Sequence, residues 1–240
     1  MPRFFHGVAT SVGRVRRVNE DSYLVLPPLY AVADGMGGHE AGEVASRLAV
    51  AELAKCVVAG RPLDTESVLG ALDDANRVIV ERPQEGRMGT TVTGLAGVET
   101  ASGPRMLVFN VGDSRVYRLS GGRLDQVSVD HSEVQELVRA GALTPEQARV
   151  HPRRNVVTRA LGRDVIVRPD HWLLPATAGD RYLLCSDGLF GELSDGKIAE
   201  LLVVGDPQRV ATVLVAAANA AGGRDNITAV VVDVDPGPVA

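Results

Sequence analysis

Acidic residues recur where short apolar runs begin or end. Asp34 closes LYAVAD, Asp113 follows RMLVFNVG, Asp187 follows RYLLCS, and Asp225 precedes NITAVVVDV, while Glu20 and Asp21 adjoin in RVRRVNEDS. For Asp34 taken alone the plain reading is a hairpin, because Asp-Gly tolerates the positive φ of a tight turn. Four carboxylates at strand ends suit another purpose: a rigid sheet holds each one in place and a loop leaves it accessible. Together with Glu20 and Asp21 they read as a divalent-metal site, because Mg²⁺ and Mn²⁺ prefer oxygen ligands and need neither Cys nor His. Without a cation, converging carboxylates repel one another and raise each other's pKa. Two ions bridged by one carboxylate relieve that repulsion and lower the pKa of a bridging water, giving a hydroxide placed to attack phosphorus in line. The chemistry favoured is phosphate-ester hydrolysis. A fixed cation for the non-reacting oxygens is also needed, and Arg16 stands four residues before Glu20, with a guanidinium that can bind two phosphate oxygens at once. The competing reading makes Arg14, Arg16 and Arg17 a solvated basic face; a period-two alternation would put Arg14 and Arg16 on one face and Arg17 on the other.

The elements that must position these groups are legible from periodicity. FFHGVATSVG, SYLVL and LYAVAD read as strands, with Pro27 and Pro28 marking a turn. Residues 40–60 read as a helix, with Ala45, Leu48, Ala49, Leu53 and Cys56 recurring at intervals of three and four and Gly60 and Pro62 ending it; residues 64–82 read as a second. TTVTGLAGVE, RMLVFNVGD, RVYRLSGG and RLDQVSV follow as four strands of a meander, and residues 131–163 as a polar, partly helical insertion over the sheet. DHWLLP, RYLLCSD and NITAVVVDV are strands, with helices near 194–203 and 207–221. Strands, two helices, strands, two helices and a last strand fit an α+β fold of antiparallel sheets covered by helix pairs, not a doubly wound one.

A chain of 240 residues with 45% hydrophobic content can bury a full core, and residues 1–240 read as a single domain. With 4% aromatic residues and a formal charge of −5, no base-stacking surface and no general nucleic-acid or membrane binder is expected. Cys56 and Cys185 lack metal-site spacing and read as buried apolar thiols of a reducing, cytoplasmic compartment. No apolar stretch is long enough for a membrane span, and the N-terminus lacks the core of a secretion signal. Phosphate-loop and dinucleotide glycine motifs are absent, and HEAGE at 39–43 lacks the second His of a zinc-protease helix.

The ordered motifs RxxNED, ADGMGGHxxGExAS, GTT, NVGDSRxYR, SDGL and DNIT, spread from Val8 to Val234, resemble the bacterial metal-dependent type-2C protein Ser/Thr phosphatases. The resemblance implies an antiparallel β-sandwich flanked by pairs of antiparallel helices, in four α-β-β-α layers, with residues 131–163 as a mobile flap. It implies that Asp34 bridges two Mn²⁺ or Mg²⁺ ions, that the Gly35 carbonyl serves the second, and that Asp187 and Asp225 complete the first. Glu20 acts through a water, Asp21 holds metal-bound waters, Arg16 binds phosphate, and Asp113 with Asp187 takes a weaker third ion. Gly35, Gly37 and Gly38 let backbone approach the ions, while Gly89, Thr90 and Thr91 support the neighbouring strand. Where eukaryotic members place a His two residues after the bridging Asp, this chain has Met36, as bacterial members do, leaving a metal-bound water or His39 as proton donor. The implied substrates are phosphoserine and phosphothreonine in proteins, the implied partner a Ser/Thr kinase, and the protein a monomer. The alternatives are a small-molecule phosphohydrolase and a non-catalytic phospho-sensing domain. Arg149, Arg153, Arg154, Arg159 and Arg163 have no acid among them, so Arg153 and Arg154 are candidates for recognising acidic phosphopeptides, against the plainer reading of a solvated basic face.

Overall fold

The computed structural model describes residues 3–37, 41–82 and 88–235. Three strands open the chain, β1 (Arg3–Ser11), β2 (Asp21–Leu26) and β3 (Leu29–Met36), and two helices follow, α1 (Ala41–Lys55) and α2 (Thr65–Glu81). Next come β4 (Gly89–Thr90), β5 (Val92–Thr100), β6 (Gly103–Val111), β7 (Arg115–Ser120) and β8 (Arg123–Gln126). Two short helices, α3 (Glu133–Arg139) and α4 (Pro145–Arg149), lie in the polar insertion. The chain continues through β9 (Asp170–Pro175), β10 (Arg181–Cys185), α5 (Asp187–Phe190), α6 (Asp195–Leu202) and α7 (Pro207–Ala221) to β11 (Ile227–Asp235).

Among the described residues all strand pairings are antiparallel, in two sheets ordered β1-β11-β10-β7-β8 and β2-β3-β5-β6-β9, with β4 added beside β3. Alternation along the central strands builds four layers. In β3, Leu29, Ala31 and Ala33 pack under α1 and α2, whereas Tyr30 and Val32 enter the space between the sheets. In β11, Ile227, Ala229 and Val231 meet α6 and α7, and Val230, Val232 and Val234 face the inter-sheet core. Each aliphatic side chain so buried contributes roughly 1.5–3 kcal/mol. Helix starts carry caps: Asp64 accepts from the Ser67 N–H at 2.7 Å, and Asp206 caps α7 just before Pro207. Among the described residues no helix is long and apolar enough to cross a membrane.

The expected α+β sandwich flanked by helix pairs is therefore present, with local corrections. The four-strand meander is split: β5 and β6 pair in one sheet and β7 and β8 in the other, because Gly112, at φ +113°, turns the chain across the sandwich. The first helix ends at Lys55, before Gly60 and Pro62. Cys56, just beyond it, is only half-buried, while Cys185 is buried; both thiols are free. Residues 12–20 form turns, so the alternation used to orient Arg14, Arg16 and Arg17 does not operate there.

Candidate metal centre

A cleft of about 450 Å³ opens at one end of the sandwich and is lined by Arg16, Glu20, Asp34, Asp113, Asp187 and Asp225. Asp34 is not at a strand end, as expected, but inside β3, since β4 pairs with Gly35 and Met36 and prolongs the strand past it. Its backbone is pinned: the Asp34 N–H donates to Thr91 Oγ1 at 3.1 Å, and its carbonyl accepts from the Thr91 N–H and the Thr90 hydroxyl, each at 2.9 Å. The support expected of the threonines is thus seen in detail. Asp21 is the cross-strand neighbour of Asp34 on β2. Its Oδ2 accepts from Ser186 Oγ at 2.8 Å and from Thr228 Oγ1 at 2.7 Å. Asp113 lies in the Gly112 turn, Asp187 at the first residue of α5, and Asp225 two residues before β11.

Backbone crowding explains two glycines. A Cβ on Gly35 would run into the Gly42 and Glu20 carbonyls, and one on Gly42 would stand 2.7 Å from Glu20 Oε1. The α1 N-terminal turn can approach β3 only because both residues lack side chains. Gly38 and His39 lie outside the described residues.

Electrostatically the cleft holds an excess of negative charge. Burial first, then Asp21, Asp187, Asp113 and Asp225, push the Asp34 carboxyl well above the usual carboxylate range, and it lies within hydrogen-bond reach of Asp187. Burial, and then Asp225, push Asp187 up to about 6. Burial also raises Asp21 to about 7, and raises Asp113 with help from Asp187. Glu20 is raised by burial and drawn back by Arg16. A cation facing the cluster is Arg16, whose Nη2 sits 2.7 Å from Asp225 Oδ2 and whose side chain is 52% exposed; Arg163 also lines the cleft.

Hard divalent cations fit these residues. Among the described residues Asp21 Oδ1 is buried without a hydrogen-bond partner, and the donors converging on the cleft are oxygens. Among the described residues no group of three or more Asp, Glu, His or Cys side chains is gathered closely enough to hold a metal ion unaided, so the side chains of the cleft would have to share a cation with backbone carbonyls and waters, which Mg²⁺ and Mn²⁺ accept as ligands.

Three positioning groups escaped the sequence reading. Asn226 takes the Glu20 N–H on its Oδ1 at 2.9 Å and donates to the Val12 and Val18 carbonyls at 3.0 and 2.9 Å, gathering the loop that carries Arg16 and Glu20. Its motif, DNIT, was visible, but only the Asp was assigned a role. His131 accepts the Gly112 N–H on Nδ1 at 3.1 Å, gives its own N–H to the Gly112 carbonyl at 2.8 Å, and faces Asp170 through Nε2, bracing the Asp113 turn. Ser186, beside Asp187 in SDGL, orients Asp21. Of the insertion, Asn155, Val156, Val157 and Arg163 wall the cleft. Arg153 pairs with Glu133 away from it, and Arg154 points into a neighbouring groove.

The family model described as protein phosphatase 2C matches residues 16–217, spanning the site groups from Arg16 to Asp187 and stopping short of Asp225, Asn226 and Thr228. The chain belongs to the protein phosphatase 2C family. Two curated relatives in this family are the serine/threonine protein phosphatase PstP of Mycobacterium tuberculosis, 43% identical over 92% of this chain and 43% of its own length, and the serine/threonine phosphatase stp of Listeria monocytogenes, 38% identical over 94% of each. This chain therefore spans less than half the length of the mycobacterial relative. A solved phosphatase 2C neighbour, the PstP catalytic domain in complex with two manganese ions, superposes with a TM-score of 0.87 at 39% identity, over 98% of this chain and all of that one.

Proposed function

We propose that this phosphatase 2C chain hydrolyses phosphoserine and phosphothreonine in proteins, as one catalytic unit with residues 131–163 as its flap, in the cytoplasm, as a monomer, opposing a Ser/Thr kinase in signalling. The observation that carries the reading is the Asp34 carboxyl, fixed inside a strand among four other carboxylates and facing Arg16 across an open cleft. Asp34, with the Gly35 carbonyl, Asp187 and Asp225, would hold two Mn²⁺ or Mg²⁺ ions; Glu20 and Asp21 would hold their waters, and Asp113 with Asp187 a weaker third ion. Bound there, the ions supply positive charge against the phosphate oxygens and make a water acidic enough to serve as nucleophile near neutral pH. Arg16 orients the substrate: its guanidinium exchanges the Asp225 carboxylate for two phosphate oxygens, and the flap residues Val156 and Val157 narrow the access of bulk water. Asp21, anchored by Ser186 and Thr228 on Oδ2, keeps a buried Oδ1 without a partner, which would accept from a water of the site.

The direct test is turnover of a phosphothreonine peptide with Mn²⁺, after chelation, and against nucleotides and sugar phosphates. Metal-dependent turnover that prefers the peptide is expected; preference for the small phosphates would replace the protein-phosphatase reading with that of a small-molecule phosphohydrolase.

Met36 yields a further expectation. No imidazole lines the cleft among the described residues. A poor alkoxide leaving group should then suffer more than an aryl one, so rates at saturation should fall steeply with leaving-group pKa, and an aryl phosphate should outrun a phosphothreonine peptide. A flat dependence with chemistry rate-limiting would show that a proton donor exists, and His39→Ala would be the variant to make next.

A further inference from the structure

A second recess, of about 480 Å³, meets the metal cleft at Asp113, Asn155 and Asp187, which line both. It runs between the insertion helices and the α5–α6 segment. Its apolar wall is made by Val134 and Val138 of α3 on one side and Phe190 and Leu193 on the other. Apart from Asp113 and Asp187, at its junction with the metal cleft, its acids are committed: Asp130 to Arg115 at 2.7 Å, Glu192 to Arg224 at 2.8 Å, and Asp195 to Arg149 at 3.1 Å. Arg154 also lines the recess, and no carboxylate pairs with it among the described residues; its Nη1 reaches only the His151 carbonyl, at 3.5 Å. Arg153, its neighbour in sequence, is neutralised by Glu133 instead. The recess thus offers an apolar trough with one uncommitted guanidinium, opening directly into the site where phosphate would be held.

We infer that this recess is a specificity subsite for the substrate segment next to the phosphorylated residue, taking an apolar side chain of leucine size in the trough and an acidic side chain on Arg154. The inference rests on the phosphatase reading and adds to it which phosphoproteins are preferred. A side chain lodged between Val138 and Leu193 is removed from water on both faces, and each additional methylene in such a pocket is worth about 10- to 200-fold in kcat/KM. The contact with Arg154 is more exposed, so it adds less and is screened by salt. A small aryl phosphate does not extend past Asp113 and Asp187 and gains nothing from the recess.

The test uses four phosphothreonine peptides carrying Leu or Ala, and Glu or Gln, at the flanking positions, together with an aryl phosphate, on the intact chain with Mn²⁺. The wild type should prefer the Leu-Glu peptide over the Ala-Gln peptide by about tenfold or more in kcat/KM, on the scale of a filled apolar pocket. Val138→Asp should erase the Leu preference, and Arg154→Ala the Glu preference together with its salt dependence. Both variants should keep aryl phosphate turnover within about threefold, since neither touches the reacting atoms. Equal turnover of all four peptides by the wild type, or equal losses on peptides and aryl phosphate in both variants, overturns the subsite. Failure of every peptide while the aryl phosphate is turned over sinks the protein-phosphatase reading instead, so the two ideas fail separately. A circular dichroism spectrum and melting temperature for each variant exclude misfolding, and Val138→Ala, with milder loss of the Leu preference, serves if the aspartate variant does not fold.

Discussion

Asp34→Asn should leave the fold intact and lower kcat by at least about 10³-fold, the scale on which one preorganised electrostatic group acts in a catalytic site. The backbone at Asp34 is held by Thr90 and Thr91 through bonds that do not involve its carboxyl, so an asparagine there keeps its position. What changes is charge: the side chain facing Asp187 and Asp113 becomes neutral, and one of its two oxygen donors becomes an N–H donor. Calorimetry should therefore show weakened Mn²⁺ binding alongside the loss of turnover. Because the substitution also removes a repelling carboxylate, the metal-free variant should melt no lower than the metal-free wild type. That readout separates a functional acid from a structural one, whose loss lowers stability. Asp225→Asn should show a similar fall in kcat and should also weaken the 2.7 Å contact with Arg16 by removing its ionic part. Near-normal turnover of Asp34→Asn with two Mn²⁺ ions bound would remove Asp34 from the centre of the site.

The carboxylates were legible in the sequence because a charge that interrupts or borders an apolar run is a local, countable event, as at Asp113 and Asp187. The β3 strand was legible for the same reason: Leu29 to Ala33 run apolar without a break, as a strand buried on both faces does. The departures have a common physical cause in pairings between distant residues. Asp34 sits inside a strand because Gly89 and Thr90, more than fifty positions later, supply the hydrogen bonds that extend it. The loop carrying Arg16 looked like a strand, since nothing local shows that Asn226 ties it down from the other end of the chain. His131 gave no periodic signal, and its function lies in two hydrogen bonds to Gly112, nineteen residues before it. The flap arginines formed one group by charge alone. Only their partners distinguish Arg153, neutralised on Glu133, from Arg154 in the recess.

Metal-free protein should lose thermal stability as the pH rises from about 4 to about 8, and Mn²⁺ should reverse that trend. In the unfolded chain the aspartates ionise near their ordinary value, about 4. In the folded chain Asp187 holds its proton to about 6 and Asp21 to about 7, chiefly through burial, and Asp34 and Asp113 are raised well above their ordinary value for the same reason. Across that window the folded state binds more protons than the unfolded one, so stability is greatest below the unfolded value and falls as the pH climbs through the folded ones. His131 opposes this, because burial lowers its pKa and favours the fold as pH rises toward its ordinary value, but it is one group against five, since burial raises Glu20 as well. Water entering the cleft moderates the cost of each carboxylate. A net change of a few kcal/mol still corresponds to roughly 5–10 °C in a chain of this size. With saturating Mn²⁺ the same carboxylates are stabilised in their charged form and protons compete for them, so the rise in melting temperature on adding metal should be larger at pH 8 than at pH 5.5. Scanning calorimetry of chelated and Mn²⁺-loaded protein at several pH values measures both slopes, and Asp34→Asn should flatten the metal-free one. A metal-free melting temperature that stays level or rises between pH 5 and 8, with the same Mn²⁺ gain at both ends, would mean that these carboxylates neither repel one another in the fold nor share a bound cation.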